Sequence, residues 1–164
     1  MAFGAGCLAR SRYERDCLVT EEYRIASEKI HGPGKTIVFL TDLHNKEFGK
    51  ENRRLMEAVR RVNPDAVLFG GDGMVAKRGN SDIRIPLALL TGLAKEFPVY
   101  CGNGNHECRM VWKSDIYGAA YENYQAALEN AGIRYLANGS ADLDGEIRIY
   151  GLDLPKSAYL PRSG

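Results

Sequence analysis

The sequence predicts an α/β fold, and three observations carry that prediction. Short apolar, β-branched runs alternate with stretches of helical periodicity. Three of these runs, 37–41 (IVFLT), 66–70 (AVLFG) and 97–101 (FPVYC), read as strands, and the first reads as a strand buried on both faces. Each of the three stops abruptly at polar residues: Asp42-Leu43-His44, then Gly71-Asp72-Gly73, then Gly102-Asn103-Gly104-Asn105-His106-Glu107. The expected element order is βαβαβα followed by a β-meander.

Taken in order, residues 1–17 show no periodicity and read as a loose leader. Residues 19–30 (VTEEYRIASEKI) alternate enough to predict an edge strand, and His31-Gly32-Pro33-Gly34 predicts a turn. The central strand 37–41 follows. Residues 50–62 (KENRRLMEAVRRV) predict an amphipathic helix with Leu55, Val59 and Val62 on one stripe and four arginines facing away. Asn63-Pro64 ends it. After strand 66–70 comes a polar loop, 77–82. A second helix is predicted over 83–96, with Pro86 in its first turn. Strand 98–101 leads to the Asn105-His106-Glu107 segment, and 108–118 reads as a loop whose Arg109, Trp112 and Lys113 are candidates to line a cleft. A third helix over 119–130 carries Tyr121, Tyr124 and Leu128 on its stripe and ends at Ala131-Gly132. Strands at 133–137, 141–143 and 146–152 complete the chain, with Asp144-Gly145 a hairpin turn.

The bulk properties narrow the function classes. The 164 residues suit one domain, placed at 18–164, with a real core. A net charge of +1 gives no signal for nucleic acid. The four cysteines, Cys7, Cys17, Cys101 and Cys108, show no C-x-x-C spacing and read as free thiols in a reducing, cytoplasmic compartment. Cys101 and Cys108 flank the proposed site and are the one pair considered for a disulfide. No stretch approaches the ~18–20 apolar residues of a membrane span, and the N-terminus is too short and too early in Arg for a signal peptide.

The strand ends carry the chemistry. Asp42 and His44 are two apart, so strand geometry continued through them sends both side chains out on one side. A carboxylate and an imidazole together at the carboxyl end of a buried strand make half of a metal site, and open α/β sheets place their ligands at that end. Glycines at the second and third ends let the backbone turn sharply. A Rossmann-type nucleotide loop is a weaker alternative, because Gly102-x-Gly104 has no third glycine.

The ordered set Asp-x-His, Gly-Asp and Gly-Asn-His-Glu, each after an apolar strand, resembles the calcineurin-like metallophosphoesterase family. Within it the chain looks most like the bacterial branch with SDLHN-type and GNHE motifs, often membrane-associated. The resemblance runs from about Tyr23 to about Leu160 and implies a layered α/β/β/α sandwich. It also implies hydrolysis of phosphomonoesters or phosphodiesters at two divalent metal ions, whose mixed N/O ligands suit Mn, Fe, Zn, Co or Ni. By that resemblance Asp42 and His44 are ligands of the first metal, Asp72 bridges both, and Asn105 serves the second. His106 faces the substrate phosphate as the catalytic residue, and Glu107 supports the structure.

The family's three later histidines have no counterpart, because His31, His44 and His106 are the three in the chain. The sequence therefore predicts the N-terminal, incomplete part of a sandwich with impaired activity. The alternative is a non-catalytic or partner-completed domain, with a partner chain supplying the missing histidines. Association with a membrane is an expectation for a full-length protein.

Overall fold

The computed structural model describes residue 10 and residues 17–77 and 81–159. The leader expected at 1–17 lies almost wholly outside the described residues, as do Cys7 and the centre of the polar loop 77–82.

Four parallel strands form the main sheet: β1 (Ile37–Leu40), β2 (Ala66–Phe69), β3 (Val99–Cys101) and β4 (Arg134–Tyr135), in that order across the sheet. Ile37 pairs with Ala66, Val67 with Val99 and Tyr100 with Arg134. The crossovers carry α1 (Arg53–Val62), α2 (Arg84–Ala94), α3 (Asn105–Trp112), α4 (Ser114–Tyr117) and α5 (Ala120–Asn130). Two strands, β5 (Gly139–Asp142) and β6 (Arg148–Gly151), pair antiparallel in a separate hairpin.

Alternation along the strands splits the sheet into two faces. Val67, Phe69, Val99 and Cys101 point toward the helices and join Leu55, Val59, Leu89, Leu90, Leu93, Tyr124 and Leu128 in the main core. Helix α1 buries Leu55, Ala58 and Val59 on one stripe, and its four arginines are exposed as expected. It stops at Asn63, whose backbone turns left-handed. On the other face, Ala66 and Tyr100 meet Leu136 and are partly covered by Ala141, Leu143 and Ile149 of the hairpin region.

The structure corrects four expectations. Strand β1 lies at the edge of the sheet, and Phe39 is 64% exposed, so it is not the central strand buried on both faces. No strand forms over 19–30; Tyr23 and Ile25 stand in solvent, because alternation yields a strand only where a neighbouring edge accepts its hydrogen bonds. Residues 108–118 are largely helical, in α3 and α4. The last three strands are no meander: β4 joins the parallel sheet beside β3, leaving β5 and β6 as the hairpin. Among the described residues no helix is long and apolar enough to cross a membrane.

Candidate metal centre

The strand geometry expected through Asp42 and His44 does not persist. The strand ends at Leu40, and Asp42, His44 and Asn45 take positive φ angles of 55°, 49° and 59°. Asp, Asn and His are the side-chain-bearing residues that enter this region most readily. Their N–H groups donate to the carbonyls of Gly71 (3.1 Å), Asp72 (2.9 Å) and Gly73 (2.9 Å), so the loop after β1 runs beside the loop after β2. Leu43 turns inward and is buried. The outcome is nevertheless a juxtaposition: His44 Nε2 lies 3.7 Å from Asp42 Oδ1.

The second and third strand ends interlock. Asp72, 8% exposed and also left-handed, accepts the His106 N–H on Oδ1 at 2.7 Å. A carboxylate from the β2 end thus caps the first turn of α3, where the helix presents free N–H groups and partial positive charge. Its Oδ2 faces His44 Nε2 at 4.0 Å. The two loops approach so closely that only glycine fits: a Cβ on Gly71 would fall 2.0 Å from the Gly104 nitrogen, and one on Gly104 would fall 2.5 Å from Asp72 Oδ1.

Glu107 holds this junction together. It is fully buried, and its carboxylate accepts N–H groups from Asp72 (2.9 Å), Gly73 (3.0 Å) and Gly104 (3.0 Å). Burial pushes its pKa above the ordinary carboxylate value, and backbone N–H donors oppose that rise. The supporting role expected for Glu107 is what its contacts show.

His106 is pinned from the other side. Its Nδ1 accepts the Ala76 N–H at 3.0 Å, and Arg109 donates to the Ala76 carbonyl at 3.1 Å. A neutral imidazole accepting at Nδ1 carries its proton on Nε2. Burial lowers the His106 pKa, Arg109 and His44 lower it further, and Asp72 works against them, so the ring favours the neutral form. The His106 ring meets the His44 ring edge-on at 5.2 Å.

Ligand atoms of His44, Asp72 and His106 lie within 4.8 Å of one another. The donor set of carboxylate oxygen and imidazole nitrogen fits a divalent transition metal. Asp42 adjoins this group through His44, and Asn105, half-buried, opens α3 beside His106. Of the residues expected to line a cleft, Arg109 is instead committed to the loop after β2. Cys17, Cys101 and Cys108 are free thiols; burial holds Cys101 well above the ordinary thiol range and Cys108 at about 12.

The family model for calcineurin-like phosphoesterases matches residues 35–156. The chain belongs to the calcineurin-like phosphoesterase family. No curated protein matches it. Family membership and the His44–Asp72–His106 group together support a metal-dependent phosphoesterase, a hydrolase that binds divalent metal. Sequence reasoning missed one polar cluster beside this calcineurin-like site, Asn103 with Tyr121, Tyr135 and Asp153, because its members are scattered over fifty residues and share no motif.

Proposed function

We propose that this chain binds two divalent metal ions and hydrolyses phosphomonoesters or phosphodiesters. The observation that carries the proposal is the convergence of Asp42, His44, Asp72 and His106 from the ends of three successive parallel strands. In this reading Asp42, His44 and Asp72 would hold one ion, and Asp72 with the side-chain oxygen of Asn105 would hold the other. Divalent ions there would neutralise the phosphoryl oxygens and activate water. Of the His44–Asp72–His106 group, His106 would serve the substrate rather than the ions, since its Nδ1 accepts the Ala76 N–H and its Nε2 then bears the proton. That proton faces the substrate, where it hydrogen-bonds a phosphoryl oxygen or passes to the leaving group. Glu107 and the two close-packed glycines keep the Asp72 and His106 loops in register.

Four protein ligands shared between two ions leave much of each shell to water, so we infer weak hydrolysis by this chain alone. One observation favours a partner-completed form: Phe39 on edge strand β1, together with Tyr150 and Leu152 at β6, leaves apolar surface in solvent. A second chain that covers such residues and adds histidines would raise the activity. The free thiols suit a cytoplasmic location.

The test is hydrolysis of p-nitrophenyl phosphate and bis-p-nitrophenyl phosphate with Mn²⁺, Zn²⁺ or Co²⁺ added singly. The reading expects slow turnover that EDTA abolishes and that His106→Ala lowers without releasing metal. Turnover unchanged by EDTA, or unchanged in His106→Ala, would sink it.

A further inference from the structure

One polar cluster takes no part in the metal centre yet grips the segment that carries half of it. Asp153, in the stretch after β6, accepts from two donors: Asn103 Nδ2 reaches its Oδ2 at 3.0 Å, and the Cys108 S–H reaches its Oδ1 at 3.0 Å. Asp153 is itself held by its backbone, whose N–H donates to Asn138 Oδ1 at 2.9 Å. Asn103 is further fixed by the Tyr135 hydroxyl, which donates to its Oδ1, and by the Tyr121 hydroxyl, which accepts from its Nδ2 at 3.1 Å. The 3-10 turn Lys156–Tyr159 that follows packs against α3. Asn103 and Cys108 bracket Gly104-Asn105-His106-Glu107. One carboxylate therefore bonds both ends of the segment that presents Asn105 and His106.

We propose that Asp153 is a positioning residue for the metal centre, its carboxylate clamping Asn103 and Cys108 so that Asn105 and His106 are held in place between them. This rests on the functional reading above. The clamp is complementary in hydrogen bonding: an acceptor-only carboxylate meets one amide N–H and one S–H. Burial and Asp153 itself keep the Cys108 thiol protonated, so it remains a donor. Each single exchange breaks that match. Asp153→Asn leaves one oxygen for two donors, so its NH₂ must oppose either the Asn103 NH₂ or the Cys108 S–H and one arm of the clamp is lost, and Asn103→Asp sets two carboxylates face to face. The double variant restores it, since the new amide at position 153 would donate to the new carboxylate at position 103, which both tyrosine hydroxyls can also serve.

The experiment compares the full chain with D153N, N103D and D153N/N103D in two assays. Backbone hydrogen exchange over residues 104–108 is expected to quicken by about tenfold or more in each single variant, with helix α5 unchanged, and to recover in the double. In Mn²⁺-dependent hydrolysis kcat should fall on the order of tenfold with KM within about twofold, and should recover likewise. Exchange unaltered in both single variants overturns the clamp, whether or not the chain hydrolyses phosphoesters. Quickened exchange with wild-type kcat overturns the positioning role. A wild-type chain with no hydrolysis counts against the functional reading instead, and exchange alone then decides the clamp.

Discussion

The two halves of the metal centre are built on different principles. The β2 and β3 ends are buried and cross-braced: Asp72 caps α3, Glu107 gathers three N–H groups, and Gly71 lies against Gly104. The β1 end is open. Asp42 and His44 are exposed side chains on a left-handed turn held by backbone bonds to its neighbour. The contrast separates what a substitution can do. In the braced half a change that removes one of these contacts damages the fold and the site together. In the open half it reaches the site alone.

The largest expected effect is at the glycine contact. Gly104→Ala drives a methyl into Asp72 backbone and carboxylate and should cost about 3 kcal/mol or more, read as a collapse of the urea midpoint. Next is Glu107→Gln, which sets an amide NH₂ against a buried N–H. It should cost about 1–3 kcal/mol and loosen the Asp72 loop. A wild-type midpoint in either variant would erase the distinction between the halves. His44→Ala, in the open half, should leave the midpoint within about 0.5 kcal/mol while weakening Mn²⁺ binding by about tenfold or more.

The smallest effect lies far from the site. Arg60 holds Glu96 through a forked pair of bonds and keeps that carboxyl below its ordinary value of 4.5. A depressed carboxylate stabilises the fold above its unfolded pKa, and that contribution fades as acid protonates it. Arg60→Gln should therefore lower the melting temperature slightly at pH 7, with a difference that shrinks below pH 4.5. A difference that grows in acid would reverse the assignment.

Much of the site is legible in the sequence because its signals are local. Three apolar runs ending in metal-competent residues are visible in any window that covers them, and such windows hold His44, Asp72 and His106, which the structure groups, and Asp42 beside His44. The start of α3 escapes such a reading because its cap, Asp72, comes from more than thirty residues away. The false strand at 19–30 shows the converse: alternation of Tyr23 and Ile25 is local, whereas a strand needs a partner edge. The left-handed turn at Asp42 also hides from a period-two reading. Its outcome survives, because Leu43 turns inward and returns His44 to the side of Asp42.

The central claim is that Asp72 joins the strand ends into a metal site. Titrating Mn²⁺ into the full chain and into Asp72→Asn, with free Mn²⁺ followed by electron paramagnetic resonance, tests it most directly. The asparagine keeps an oxygen for the His106 N–H, so the fold is retained while the charge is lost. The account predicts Mn²⁺ uptake by the wild-type chain and at least about tenfold weaker uptake by the folded variant. Equal uptake by the two would contradict it.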